Sequence, residues 1–254
     1  MKSFKKFIKF EKGTIPLIFS VPHGGKLKCD EIPTRKSGIL GIDKGTIKLT
    51  QKLMYYLKKY SKKKNLNRFK PSYVFSNVPR SKIDLNREEI DAYEHRSKLA
   101  EKIYHRYHNK IEQYISENLE VFNTSLLIDI HGFEKTKRPS GFRDVELILG
   151  TNNLESFFSE PVSKRYWKNT IRGKIIKRFL KLKIPIAPGH PRRREYVLTG
   201  GYTIQKYGSS QILKSKTMQI EFSDRIRIYE KKLRKIVLRT LAEIIIEEFN
   251  LNLN

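Results

Sequence analysis

Short apolar runs that stop abruptly at a turn residue and alternate with long amphipathic segments restrict most what this chain can fold into. Ile15 to Val21 is apolar, rich in β-branched residues, and stops at Pro22 and Gly24-Gly25. Leu126 to Ile130 stops at His131-Gly132, Val145 to Leu149 stops at Gly150, Tyr73 to Val78 runs into Pro79-Arg80, and Thr217 to Phe222 forms a late run of the same kind. Runs of this length with these boundaries read as strands. Between them apolar residues recur at helical spacing: Ile47, Leu49, Leu53, Met54 and Leu57 within Asp43 to Tyr60, with Asp43 at the N-cap position, and Ala100, Ile103, Tyr107, Ile111 and Tyr114 within about Glu88 to Asn118. Trp167, Ile171, Ile175 and Phe179 mark a third helix over Arg165 to Leu182, and Leu233, Ile236, Val237, Leu241 and Ile244 a fourth from about Arg225 to Phe249. Strands alternating with helices predict an α/β fold, a three-layer α/β/α arrangement around a central mixed sheet. Its 254 residues fit a single domain of that class, 1–254, without internal repeats.

Charge bounds the partners. Lysine and arginine number 53 against 26 acidic residues, a formal charge of +27, so anions are attracted and nucleic acid is a possible partner. The charges are spread along the chain instead of gathered in one arm, which equally fits a compositional bias. A single cysteine, Cys29, excludes an internal disulfide and a multi-cysteine zinc site, so a metal has to be held by histidines and carboxylates. Lys5, Lys6 and Lys9 interrupt Phe4, Phe7, Ile8 and Phe10, and no apolar run has membrane length. A cytoplasmic protein with no membrane partner is expected, its oligomeric state open.

Three polar residues fall at the carboxyl ends of expected strands: His23, His131 and Glu221. That edge is where open α/β sheets build sites. Hydrolytic zinc sites take three ligands from histidine and carboxylate and leave one position for water. Strand alternation puts Asp129 on the face of His131, as a carboxylate that orients the ring or as a structural hydrogen-bonding residue. Gln219 and Glu221 share a face likewise, and a buried glutamate there fits a general base or an ion pair with one of the arginines. Arg80, Asn86 and Arg87 follow the second strand, where a guanidinium fork can hold a carboxylate; Gly200-Gly201-Tyr202-Thr203 reads as a tight loop that approaches a ligand or as an ordinary turn. A second metal candidate, Glu101, His105, His108 and Glu112 on one side of the long helix, ranks below the strand-end group as a solvated edge. His190 beside Arg192, Arg193 and Arg194 reads as basic surface or an anion contact.

Taken in order, Ser20-Val21-Pro22-His23-Gly24-Gly25, Asp43 with Gly45-Thr46, Arg80 followed by Asp84-Leu85-Asn86-Arg87, Asp129-Ile130-His131-Gly132, Gly200-Gly201-Tyr202-Thr203 and Gln219-Ile220-Glu221 resemble the N-formylglutamate amidohydrolase family across almost the whole chain. The resemblance implies a phosphorylase/hydrolase-like fold related to zinc carboxypeptidases and aspartoacylases. It also implies zinc, or another divalent metal, on His23, His131 and Asp43, activating the water that attacks an amide carbonyl. Glu221 would be the general acid/base, and Arg87 with Asn86 the clamp for a substrate carboxylate or oxyanion. Arg80, Gly201 and Tyr202 complete the expected substrate contacts. One departure concerns the carboxylate ligand: the related enzymes carry a glutamate three positions after the first histidine, where this chain has Lys26. The expected function is metal-dependent hydrolysis of a C–N amide bond in a small acidic N-acyl amino acid such as N-formylglutamate. The alternatives are a deacylase acting on an acylated nucleic acid, such as a mischarged tRNA, and a basic binding protein without catalysis.

Overall fold

A computed structural model describes residues 2–66, 69–137 and 144–250. The expected runs do form strands, and they assemble one seven-stranded mixed sheet. Its strands are β1 (Ile8–Glu11), β2 (Leu17–Val21), β3 (Ser72–Ser76), β4 (Ser125–Phe133), β5 (Leu147–Gly150), β6 (Ile186–Ala187) and β7 (Ser215–Ser223), in the order β1-β3-β2-β4-β7-β5-β6. The central strands β3, β2, β4 and β7 run parallel; β1 is antiparallel to β3, β5 is antiparallel to β7, and β6 follows β5.

Among the described residues seven α-helices accompany the sheet: α1 (Thr46–Lys63), α2 (Glu89–Ala92), α3 (Lys98–Phe122), α4 (Lys164–Trp167), α5 (Ile171–Lys181), α6 (Tyr202–Tyr207) and α7 (Lys231–Asn250). Strand alternation sorts the core into two faces. Leu17, Phe19, Val21, Leu126, Ile128, Ile130, Ile220 and Phe222 pack under α1, α5 and α7, whereas Ile18, Val74 and Leu127 pack under α3. These make the three layers. Leu49, Leu53 and Leu57 of α1 are buried, each contributing about 1.5–3 kcal/mol by leaving water.

Several expected boundaries shift, for local reasons. Asp43 is not the N-cap of α1. That position belongs to Gly45, whose positive φ of 86° a side chain would strain, while the Asp43 carbonyl accepts from Thr46 Oγ1 at 2.8 Å and the carboxylate takes no part in the cap. The helix expected over 88–118 divides into α2 and α3, because Tyr93 is extended and Ser97 restarts the helix by accepting from Ala100 N at 3.2 Å. Thr170 divides the third helix in the same way, its hydroxyl accepting from Gly173 N at 3.1 Å. A short π-helical turn, Arg225–Tyr229, precedes α7, and Ile236, expected on the apolar face, is 47% exposed. Strands β1 and β6 were not anticipated. Gly25 marks a close approach: a Cβ there would lie 2.1 Å from the Asn77 carbonyl carbon.

Candidate active site

The α3 face of the sheet holds the polar residues. Alternation that sends Ile128 and Ile130 toward α7 turns Asp129 and His131 the other way, and that which buries Ile220 and Phe222 beneath α7 turns Gln219 and Glu221 to the same side. The β4–β7 register pairs His131 with Glu221 and Asp129 with Gln219. His23, two residues past β2, is buried, and Asp43 is brought to it by a backbone hydrogen bond from Asp43 N to the His23 carbonyl at 2.9 Å.

One nitrogen of each imidazole is already committed. His23 Nε2 lies 2.6 Å from Asp84 Oδ1, and His131 Nε2 lies 2.7 Å from Asp129 Oδ2. A carboxylate only accepts, so each ring donates from Nε2 and turns Nδ1 inward. Ser20 Oγ donates to the other oxygen of Asp129 at 2.5 Å, and Asn86 N donates to Asp84 Oδ1 at 3.1 Å. Facing inward, His23 Nδ1 lies 3.7 Å and His131 Nδ1 3.4 Å from the same atom, Asp43 Oδ2, which also accepts from Gly132 N at 3.1 Å. His23 Nδ1 is buried without a hydrogen-bond partner.

Two imidazole nitrogens and a carboxylate oxygen, with ligand atoms within 4.8 Å of one another, form a group that could hold a metal ion. Buried nitrogens and a carboxylate so close together favour a positive charge among them, a proton or a cation. The titration shifts carry the same message. Burial alone would lower the pKa of His131, yet Asp129, Asp43 and Glu221 hold it well above the ordinary histidine value. Burial alone would raise that of Asp43, but the hydrogen bonds and charges of His131 and His23 push it below the carboxylate range. Nitrogen and oxygen donors of this kind suit a divalent cation of the zinc type. Among the described residues this is the one group of three or more such side chains with that geometry.

Beside it opens a cavity of about 440 Å³, lined in part by Arg80, Asn86, Arg87, His131, Tyr202 and Glu221. Glu221 is held by Gln219, whose Nε2 donates to Glu221 Oε1 at 2.9 Å while its Oε1 accepts from Gly201 N at 2.8 Å. Burial raises the Glu221 pKa, partly opposed by His131 and reinforced by Asp43. Asn86 is braced by Thr203 N, which donates to its Oδ1 at 2.8 Å, and its Nδ2 lies 3.4 Å from His131 Nε2. Gly201 packs so close to Asn86 that a Cβ would sit 2.2 Å from Nδ2.

The structure thus gathers His23, Asp43, His131, Glu221, Arg80, Asn86, Arg87, Gly201 and Tyr202 in one region. Asp84 and Arg35 were not anticipated there. Buried Asp84 carries His23 on one oxygen; its other oxygen meets Arg80 Nε at 3.0 Å, Arg87 Nε at 3.5 Å and Arg35 Nη1 at 3.6 Å. Its pKa lies far below the ordinary value, because His23 and Arg80 outweigh the burial that would raise it. The only signal for Asp84 was its place in Asp84-Leu85-Asn86-Arg87; nothing local announces a partner 61 residues away. The helix-face alternative does not assemble. His108 turns inward to Tyr207 OH at 2.8 Å, His105 pairs with Glu89 at 3.1 Å, Glu101 with Lys98 at 3.0 Å and Glu112 with Lys206 at 2.9 Å.

No family model and no curated protein matches the sequence. Solved structures do match the fold. The crystal structure of an N-formylglutamate amidohydrolase from Ralstonia eutropha JMP134 superposes with a TM-score of 0.62 at 13% identity, covering 97% of this chain and 98% of that one. A gene product of Agrobacterium tumefaciens superposes with a TM-score of 0.59 at 14% identity, covering 98% of this chain and 97% of the other. At such identities the likeness establishes the shared fold: this chain has the mixed-sheet, three-layer α/β architecture of an N-formylglutamate amidohydrolase.

Proposed function

We propose that the chain, with residues 1–254 acting as one domain, is a metal-dependent hydrolase of the C–N bond in small acidic N-acyl amino acids, N-formylglutamate among them. The observation that carries this reading is the inward convergence of His23 Nδ1, His131 Nδ1 and Asp43 Oδ2, each histidine fixed from behind by a carboxylate, at the edge of a cavity walled by arginines. The motif resemblance and the shared fold support it.

His23, His131 and Asp43 would hold the cation, zinc by the chemistry of the donors. A cation so held polarises an acyl carbonyl and makes water acidic enough to ionise near neutral pH. Glu221, whose pKa burial raises, takes the proton that the attacking water gives up and passes it to the amide nitrogen as the C–N bond breaks. The products are a carboxylic acid and a free amine, formate and glutamate for N-formylglutamate. Arg87 and Arg80 receive the substrate carboxylate through guanidinium forks, Asn86 orients the acyl group, and Gly201 and Tyr202 close the wall. The cavity volume lies in the range of roughly 300–1,000 Å³ usual for small-molecule sites.

The test pairs metal content with turnover. Purified protein should carry about one zinc per chain, lose it in His23→Ala and His131→Ala, and release formate from N-formylglutamate faster than from its uncharged diamide, in which both carboxylates are amides. Arg87→Ala should raise KM for the acidic substrate and leave that for the neutral one nearly unchanged. Hydrolysis indifferent to chelator and to both histidine replacements would overturn the proposal.

A further inference from the structure

The outer surface of α1 carries a feature that the hydrolase reading does not use. Its eighteen residues include Lys48, Lys52, Lys58, Lys59, Lys62 and Lys63 and not one acidic residue. Lys48, Lys52, Tyr55, Lys59 and Lys62 follow one another at intervals of four, three, four and three, which places them in a single exposed stripe. The stripe runs about 21 Å along the helix. Tyr55, at its centre, is 59% exposed and lies edge-on to Tyr56, which in turn stacks on Tyr60. The neighbouring helix α7 continues the charge: Lys231, Lys232, Lys235 and Arg239 are exposed, and its first acid is Glu243. Arg239 hydrogen-bonds Tyr60 OH and lies 5.8 Å from that ring's centre. Among the described residues, no carboxylate pairs with any lysine of α1 or with these four cations of α7. The charge is therefore uncompensated and ordered.

We propose that the α1 stripe, flanked by the start of α7, binds single-stranded nucleic acid, the lysines taking successive phosphates and Tyr55 offering a face to one base. Cations at one-turn intervals with an aromatic ring among them meet both requirements of a single strand, a charged backbone and an unstacked base. A duplex keeps its bases stacked inside and leaves Tyr55 without a partner. An anionic membrane fits less well, because surface helices insert an apolar face, and here Leu49, Leu53 and Leu57 are spent on the sheet. The proposal holds whether or not the hydrolase reading does, since none of its residues belongs to that site.

The test measures binding of the intact protein to a fluorescent mixed-sequence single-stranded RNA across a salt series. Affinity is expected to fall with salt at a log–log slope of about −3, as for four phosphate contacts. Lys52→Gln/Lys59→Gln/Lys62→Gln should weaken binding more than about 10-fold and flatten the slope by about 2, and Tyr55→Ala should weaken it by about 10-fold at unchanged slope. Turnover of N-formylglutamate and the thermal midpoint should stay at the parent values, separating loss of the stripe from loss of the fold or of the site. The control is Lys98→Gln/Lys102→Gln/Lys110→Gln on α3, across the sheet. An equal loss from the control would reduce the stripe to overall charge and overturn the proposal. So would tighter binding to phosphatidylserine vesicles than to RNA, or a Tyr55→Ala protein that binds like the parent.

Discussion

His23 and His131 present the same nitrogen to the same carboxylate oxygen and are braced from behind by different acids, so on the proposed reading the ligand atoms are aimed in advance of the cation. Replacing either brace by its amide keeps the shape and removes the fixed acceptor. Asp84→Asn and Asp129→Asn should each lower zinc affinity by about 10–100-fold, read by competition with a chromophoric chelator; unaltered affinity would mean that the braces do not aim the rings. Glu221→Gln should retain the metal and lower kcat by about 10²–10⁴-fold, the usual range for a lost general base. Much of this was legible. His23, His131 and Glu221 stand out because a polar residue at the end of an apolar strand needs a reason, and Asp129 because alternation ties it to His131. Asp84 and Arg35 were not, since their partners are set by tertiary folding alone.

At the scale of elements, sequence periodicity found every long helix and missed its breaks. Apolar spacing persists across Tyr93 to Ser97 and across Thr170 because the segments on either side pack on the same layer, so the caps interrupt the backbone without interrupting the pattern. Strand β1 shows the opposite case: Lys9 and Glu11 alternating with Ile8 and Phe10 are the pattern of a half-solvated edge strand, too short to stand out. Two element-level predictions follow from buried polar contacts. Fully buried Arg172 donates to Glu195 Oε1 at 2.8 Å and to the carbonyls of Pro191 and Arg193 at 3.0 and 2.9 Å, while Glu195 accepts from Thr151 N and Asn153 N. Glu195→Ala leaves that guanidinium without a counter-charge and should destabilise the protein by about 3–5 kcal/mol in urea unfolding. His108, buried between α3 and α6, has its pKa lowered to about 3, chiefly by burial with repulsion from Lys206 and His105 added. The unfolded chain then binds a proton that the folded one refuses, so stability falls as pH drops from about 6.5 toward 3, by about 1.4 kcal/mol per unit from this group. His108→Gln should flatten the dependence over that window; an unchanged slope would assign it to other groups.

Over the whole molecule, a charge of +27 makes self-repulsion a standing term against the compact state. Raising sodium chloride from low to moderate concentration should therefore raise the thermal midpoint, because screening relieves more repulsion than it costs in exposed ion pairs worth little each; a falling midpoint would reverse that balance. No described helix is long and apolar enough to cross a membrane. The sheet itself divides the labour. His23, His131 and Glu221 stand on or just beyond the parallel strands, with Asp43 on the loop before α1, whereas Leu198, Gly201 and Tyr202 of the cavity wall arrive on the segment that returns from the reversed pair β5 and β6. That segment is anchored to the chemistry mainly through the amides of Gln219 and Asn86. A wall carried on its own stretch of chain can change length or composition while the converging side chains stay in register, which on the proposed reading lets the scaffold exchange one acyl compound for another without rebuilding the reaction.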